Sequence, residues 1–341
     1  MTSTISASTS APPQIVQMAT GHIVAQALYV VAELRIADHL SGGPRSAAAL
    51  AEATATDAGA LSRLLRLMSG LGLFTQTADG GFASTSLGDS LRSDASGCAR
   101  ALVCMIAGPT MSRASNELLH AVKTGGSAFD KAIGEPVFGY LAHHPDEAAV
   151  FNDAMIGFHG SEPAAVAAGY DFSSIGTLVD VGGGTGNLLM TVLEAYPTVH
   201  GVLYDLPHVA VHARQEIERR GLIGRCEVKE GSFFESIPSD GDAYLMSHII
   251  HDWDEAKCLD ILGNCRRAMN GRGRLLLVEM VIPPGDEMHP AKLLDVTMLM
   301  ATGGRERTAD EYRALYTKAR FELTRVVPTA SAVSVVEGRP A

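Results

Sequence analysis

The sequence predicts an α/β protein in which a doubly wound, mostly parallel sheet follows an all-helical, winged-helix-like N-terminal domain. Three observations predict it. After residue 175, apolar strand segments alternate with helical segments of about ten to fifteen residues, which is typical of a parallel sheet with helices on both faces. A glycine-rich turn follows the first of these strands. Nearer the N-terminus, two helices precede a hairpin turned by glycines, the outline of a winged helix.

Four regions are predicted along the chain: 1–13, 14–100, 101–170 and 171–341. The first has no basic start and no apolar core, which is typical of a disordered tail rather than a signal peptide. In the second, an apolar, alanine-rich helical stretch precedes a helix that opens on Asp57 as its N-cap, and then the hairpin. The third reads as a helical connector, and the fourth contains the sheet.

The C-terminal region carries five strand segments separated by helices. In order, the predicted strands are TLVDVGGG, GVLYDLP, CEVKEG, DAYLMSHI and GRLLLVEMVIPP. The last two apolar segments, ELTRVVPT and SAVSVVEG, predict two strands about a short turn. They would add an antiparallel strand to the mostly parallel sheet.

Composition disfavours several classes of partner. The formal net charge is −11, whereas nucleic-acid binders carry a basic face. Near the helix that opens on Asp57, the cations are Arg63, Arg66 and Arg92, so we expect dimerisation or packing there rather than DNA binding. The sequence contains no run of eighteen or more apolar residues, so no membrane span is predicted. The chain has five cysteines, an odd number, and none forms a C-x-x-C pair. This pattern favours a reducing compartment, the cytoplasm, and disfavours a metal site.

The first strand ends in a glycine loop that points to a nucleotide-like ligand. The loop fits acid-x-G-x-G-x-G through Asp180, Gly182, Gly184 and Gly186. Asn187 stands where the dinucleotide fingerprint needs its third glycine, which disfavours NAD. Asp205 ends the next strand, where a carboxylate can accept both hydroxyls of a ribose. A purely structural turn remains the alternative.

Six segments in order resemble the small-molecule O-methyltransferases of plants and bacteria, of the caffeate and hydroxyindole type. They are LVDVGGGTG, YDLPHV, GSFFESIP, DAYLMSHIIHDWDE, LLLVEMVIP and GGRERT. The resemblance covers almost the whole chain. It implies a class I methyltransferase sheet, an N-terminal winged-helix dimerisation domain and S-adenosylmethionine as cofactor. It also implies a homodimer in which the N-terminal helices of one chain wall the pocket of the other.

The resemblance implies a catalytic role for four residues. His251, in the H-D-W motif, corresponds to the general base, with Glu279 and Glu306 orienting it and Asp252 near the acceptor. A neutral histidine suits this role, because a phenol with a pKa of about 10 must lose its proton during methyl transfer. Taken singly, these residues also fit a core histidine, a surface glutamate and a helix-capping aspartate. His248 is interpreted as a packing residue or a neighbour of the site.

The resemblance also implies the cofactor and acceptor residues. The cofactor set is Asp180, Gly182, Gly184, Asp205 at the ribose, Ser232, Phe233 at the adenine, and Ser247. Ser232 departs from the family, which usually has aspartate there. Its uncharged hydroxyl predicts binding weakened by about 1 kcal/mol. The acceptor set is Phe151, Met155, Phe158, His159 and Met298, although such a stripe also fits plain core.

The predicted function is therefore S-adenosylmethionine-dependent O-methylation of a phenolic or similar hydroxyl on a small aromatic secondary metabolite, with His251 as general base. Two alternatives remain open. One is a related enzyme that binds the cofactor but catalyses hydroxylation, decarboxylation or a pericyclic reaction. The other is a non-enzymatic winged-helix binder.

Overall fold

The computed structural model describes residues 12–95, 97, 99–239 and 241–341. The predicted tail lies outside them apart from its last two residues, and Pro13 begins the first helix. The chain forms two compact units. The first unit comprises the described residues up to Ser112 together with Leu141–Phe158, and the second comprises Arg113–Tyr140 and His159–Ala341. The predicted connector at 101–170 is thus divided between them.

The N-terminal elements follow the predicted order of helices and hairpin. They are α1 (Pro13–Ala19), α2 (Gly21–Glu33), α3 (Ile36–His39), α4 (Ala47–Thr54), α5 (Ala58–Gly70), β1 (Phe74–Gln76), β2 (Phe82–Ser84), α6 (Ser86–Asp89) and α7 (Ala99–Ala107). Asp57 caps α5 as predicted, since its carboxylate accepts the Ala60 N–H at 2.7 Å. The apolar, alanine-rich stretch predicted as helical is divided into α1, α2 and α3, and Arg35, between α2 and α3, has a left-handed φ of +50°.

Six further helices lead to the sheet: α8 (Pro109–Asn116), α9 (Leu118–Thr124), α10 (Ala128–Ile133), α11 (Val137–His143), α12 (Pro145–His159) and α13 (Glu162–Gly169). The alternating elements follow as β3 (Thr177–Val181), α14 (Asn187–Ala195), β4 (His200–Asp205), α15 (Pro207–Arg219), β5 (Cys226–Glu230), β6 (Ala243–Ser247), α16 (Glu255–Met269) and β7 (Arg274–Glu279). The chain ends with β8 (Val281–Ile282), α17 (Pro290–Ala301), β9 (Arg307–Thr308), α18 (Ala309–Lys318), β10 (Phe321–Pro328) and β11 (Ser334–Pro340).

Within the described residues, one seven-stranded sheet has the order β10-β11-β7-β6-β3-β4-β5. The strands from β7 to β5 are parallel, whereas β11 pairs antiparallel with both β7 and β10, as predicted. The strand order reverses beside β3, because the chain runs outward to β5 and then returns to β6. Ligands of such sheets bind beyond the carboxyl ends of the strands at this switch point.

The fifth predicted strand is two strands. It breaks at Met280, and β8 leaves the large sheet to pair in parallel with β9, so that Val281 opposes Arg307. This pairing brings the segment around Glu306 back beside the end of β7. The helix α17 was not predicted.

No single helix in the described part of the chain is long and apolar enough to cross a membrane. By length and composition alone, α1 and α2 pass that test as a pair bent by 42°.

Candidate active site

The glycine loop after β3 needs glycine for its backbone conformation. Gly182, Gly184 and Gly186 have φ values of +71°, +58° and +81°, in the left-handed region that favours glycine. A Cβ atom on Gly182 would lie 2.6 Å from Ile249 Cδ1, whereas one on Gly184 would meet nothing within 4 Å. The loop is therefore closely packed on one side and open on the other.

Two aspartates flank this open space. Asp205, at the end of β4, accepts the N–H of Gly184 at 2.8 Å and that of Leu206 at 2.6 Å. Asp180 is buried, and its Oδ1 atom has no hydrogen-bond partner among the described residues. Burial, together with the charge of Asp205, raises the pKa of Asp180 to about 7. A buried polar atom without a partner beside an open loop is suited to a ligand that brings a hydrogen-bond donor.

The other cofactor candidates surround the same loop. Phe233 Cε1 lies 3.4 Å from the Cβ position of Gly182, and the Phe233 carbonyl accepts a 2.7 Å hydrogen bond from Asn264 Nδ2. Ser247 ends β6, the strand next to β3. Ser232 begins the turn before Phe233, and its Oγ accepts the Phe234 N–H at 3.3 Å. The structure thus brings the predicted cofactor set together.

His251 lies in a single 3₁₀ turn, Ile250–Asp252, just beyond β6. Its ring is buried, with Nδ1 2.6 Å from Glu306 Oε1 and 3.6 Å from Glu279 Oε2. Its Nε2 is 3.7 Å from Asp252 Oδ1. The four predicted catalytic residues therefore form one cluster. Nδ1 of His251 faces the carboxyl groups of Glu306 and Glu279, and Nε2 lies on the opposite side of the ring.

Backbone contacts fix this cluster. Glu279 Oε1 accepts the Ile250 N–H at 3.0 Å, which ties the end of β7 to the turn. The Arg305 N–H donates to the His251 carbonyl at 2.8 Å, and the Glu306 N–H donates to Asp295 Oδ1 at 3.0 Å. The histidine and its partner acid are thus held by main-chain as well as side-chain bonds.

Burial shifts the pKa values of all four groups. It lowers the pKa of His251, although the charge of Asp252 opposes the change, so the ring is neutral at pH 7. It raises the pKa of Asp252 to about 6 and that of Glu306 to about 8. Burial, reinforced by the charges of Glu306 and Asp252, raises the pKa of Glu279 well above its usual value. Burial therefore favours the protonated forms of Glu279 and Glu306, and Glu306, at 2.6 Å, is the nearer acceptor for His251 Nδ1–H.

A second buried cluster, the Glu162 triad (His159, Glu162 and His248), adjoins His251. Glu162 Oε2 lies 2.9 Å from His248 Nε2 and 3.1 Å from His159 Nδ1. The ring centroid of His248 is 4.3 Å from that of His159 and 5.1 Å from that of His251. The prediction that His248 is a packing residue or a neighbour of the site thus leaves out its hydrogen bond to a buried acid.

Sequence reasoning missed Glu162, because an acid in the first turn of α13 reads as an ordinary charge at a helix N-terminus. Burial alone would raise the pKa of Glu162, but the hydrogen bonds from His159 and His248 outweigh it and lower the pKa to about 2. Burial lowers the pKa of His248 to about 4, against the hydrogen bond to Glu162. The pair is therefore a neutral histidine and a carboxylate anion.

Two groups of three side chains also lie close enough to hold a metal ion: the Glu162 triad, and the set of His248, His251 and Glu279. Each group offers ligand atoms that lie within 4.8 Å of one another.

The predicted acceptor residues are split between the two compact units. Phe151, Met155 and Phe158 lie on the part of α12 that belongs to the first unit, whereas His159 and Met298 belong to the second. Within the second unit, His159 is part of the Glu162 triad, and Met298 lies on α17. Neither unit alone brings the five together.

Comparison with known proteins identifies the family. Residues 116–322 match the model of the O-methyltransferase domain, and residues 16–94 match that of the O-methyltransferase dimerisation domain. The chain belongs to the O-methyltransferase family.

The relatives of this O-methyltransferase match nearly all of its chain. The phenazine O-methyltransferase of Lysobacter antibioticus is 44% identical over 96% of this chain and 95% of its own. The solved mitomycin 7-O-methyltransferase has a TM-score of 0.89 with 38% identity, covering 96% of this chain and 97% of that one.

A third relative bears on the cofactor. An O-methyltransferase of neocarzinostatin biosynthesis, solved with S-adenosylmethionine and 2-hydroxy-5-methyl naphthoic acid, has a TM-score of 0.84. It is 32% identical and covers 98% of this chain and 100% of that one. The predicted family, fold class, enzyme class and cofactor, S-adenosylmethionine, are confirmed by these matches.

Proposed function

We propose that this O-methyltransferase methylates a phenolic or similar hydroxyl of a small aromatic metabolite, with His251 as its general base. The observation that carries the proposal is the 2.6 Å contact between His251 Nδ1 and Glu306 Oε1, since it leaves Nε2 to accept a proton. The acceptor class is supported by relatives named for phenazine and mitomycin and by one solved with a naphthoic acid.

The residues around the glycine loop fit S-adenosylmethionine. We propose that Asp205 accepts the ribose hydroxyls, that Phe233 packs on the adenine and that Asp180 accepts a donor of the amino-acid part. Gly182, Gly184, Ser232 and Ser247 would complete the set of cofactor-binding residues. The cofactor, when bound, supplies a methyl group on a positively charged sulfur.

The protein's own part is to remove a proton and to hold the charge that results. Nε2 of neutral His251 takes the proton from the acceptor hydroxyl as the methyl group transfers. The imidazolium that forms donates its Nδ1–H to Glu306 Oε1, which stabilises the new charge. Asp252 Oδ1, 3.7 Å from Nε2, adds a favourable negative charge.

We further propose that Phe151, Met155, Phe158, His159 and Met298 line the acceptor pocket, and that the enzyme is a homodimer of the cytoplasm. The dimerisation-domain match supports the dimer, and the order of helices and hairpin supports a winged helix there. Light scattering on a dilution series tests the assembly, because a monomer at all concentrations would contradict it.

The first experiment measures binding of S-adenosylmethionine and S-adenosylhomocysteine by calorimetry, and then methylation of a panel of phenols by mass spectrometry. We expect both ligands to bind, and His251→Ala to bind them equally well while methyl transfer falls by about 10²–10⁴-fold. Cofactor binding without any methylated product, or transfer that survives His251→Ala, would favour the non-methylating chemistry of the first alternative.

A further inference from the structure

The Glu162 triad lies beside the base but takes no part in the proton transfer proposed above. We propose that it is a specificity-determining site that receives a second hydrogen-bond donor of the acceptor, adjacent to the hydroxyl that is methylated. The acceptor class would then be an aromatic ring with two neighbouring donors, such as an ortho-diol or an ortho-aminophenol. This inference rests on the proposed function.

The first step is the direction of the hydrogen bonds. An ionised carboxylate only accepts, so the ring nitrogens that contact Glu162 Oε2 carry hydrogens. His248 therefore donates from Nε2, at 2.9 Å. Because neutral imidazole has one hydrogen, its Nδ1 is unprotonated and can only accept. The triad thus recognises ligand groups that donate.

The second step is the distance between the two accepting rings. The ring centroids of His248 and His251 are 5.1 Å apart. Two hydroxyls on adjacent ring carbons, each making a hydrogen bond of about 2.8 Å, span a separation of this size. One hydroxyl would then face the base and its neighbour the triad.

The third step is the backbone of His248. Its φ of +53° is left-handed, which is unfavourable for a bulky residue and persists only where the surroundings enforce it. Its N–H donates to the Val278 carbonyl at 3.1 Å, and its ring is held by Glu162. This conformation aims the ring towards His251, and the fixed tautomer gives it one chemical role.

The experiment compares 2,3-dihydroxynaphthalene with 2-naphthol, which lacks the second donor. Binding to the protein saturated with S-adenosylhomocysteine is measured by calorimetry, and methylation by kcat/KM. The test variant is His248→Asn, because asparagine tolerates the left-handed conformation. The control is His212→Asn, on the exposed side of α15. Glu162→Gln serves as a second test variant, and thermal melting verifies that each protein is folded.

We expect the wild type and His212→Asn to prefer the diol by about five- to tenfold, and both test variants to bind the diol and 2-naphthol with nearly equal affinity. A wild type without preference, or variants that weaken both ligands equally, would overturn the inference while leaving the proposed function intact. Loss of the preference on treatment with EDTA would overturn it in favour of a metal site. Failure to bind or methylate either compound would instead count against the proposed function.

Discussion

Gly304 offers a way to displace Glu306 without touching a catalytic side chain. A Cβ atom built on Gly304 would lie 1.9 Å from the His251 carbonyl oxygen and 2.7 Å from the Asp252 carbonyl carbon. Gly304 does not have a positive φ, so alanine is conformationally allowed there. The effect of Gly304→Ala is therefore a collision with backbone atoms, which cannot rotate away as a side chain can.

The size of the displacement follows from that contact. Real Cβ atoms essentially never approach closer than 3.0 Å, so the two segments must separate by more than about 1 Å. The hydrogen bond from Arg305 N–H to His251, now 2.8 Å, and the 2.6 Å contact between His251 and Glu306 would both be stretched beyond bonding distance. A misplacement of about 1 Å at a catalytic group can reduce turnover by about 10²-fold.

We therefore expect Gly304→Ala to lower kcat by about 100-fold while S-adenosylhomocysteine binds as tightly as to the wild type, because the cofactor residues lie on other segments. The assay is methyl transfer to a phenol, with calorimetry for binding and thermal melting for folding. Gly263→Ala is the control, since its Cβ would meet only Arg267 Nη1 at 3.7 Å within α16 and should stabilise the helix slightly. Wild-type kcat in Gly304→Ala would refute the positioning role of Glu306.

Three further predictions concern pH and the cofactor. Because burial lowers the pKa of His251, the acid limb of kcat/KM should have its midpoint below pH 6.5, and a midpoint above it would contradict a buried neutral base. Burial lowers the pKa of His248 to about 4 in the folded protein, against about 6.5 when unfolded. The unfolded state therefore binds a proton more readily, and the free energy of unfolding should fall by about 2 kcal/mol from pH 7 to pH 5. Urea melts of His248→Asn should show a smaller fall over that range. Ser232→Asp should bind S-adenosylmethionine about fivefold tighter by calorimetry, and unchanged affinity would show that Ser232 does not weaken the site.

Local patterns account for what the sequence predicts well. The strands of the parallel sheet are continuous apolar runs, and Asp57 is followed by a helical apolar pattern, so their conformations can be read from neighbouring residues. The spacing of apolar residues does not predict a break in a strand or helix that depends on residues distant in sequence. Nothing near Met280 reveals that β8 pairs with β9, and nothing near Arg35 reveals its left-handed backbone.

The catalytic cluster could be predicted from the sequence, whereas the Glu162 triad could not. His251, Glu279 and Glu306 lie in motifs that the family resemblance carries, and the structure places Glu306 Oε1 2.6 Å and Glu279 Oε2 3.6 Å from His251 Nδ1. Glu162 is separated from His248 by 86 positions, and no local pattern marks it as buried. Only the packing of α13 against the end of β6 shows that its charge has two histidine donors.

The buried acids near His251 serve two different purposes. Glu162 has its charge compensated by two imidazole donors and lies in the first turn of α13, where the helix dipole favours an anion, so it stays ionised at all working pH values. Glu279 and Glu306 lack such compensation, and burial favours their protonated forms. The permanent anion of Glu162 raises the proton affinity of His251. Glu279 and Glu306 ionise only once His251 has become an imidazolium, so they add no unpaired buried charge while the ring is neutral. Environment alone therefore separates chemically identical groups into a fixed charge and a responsive pair.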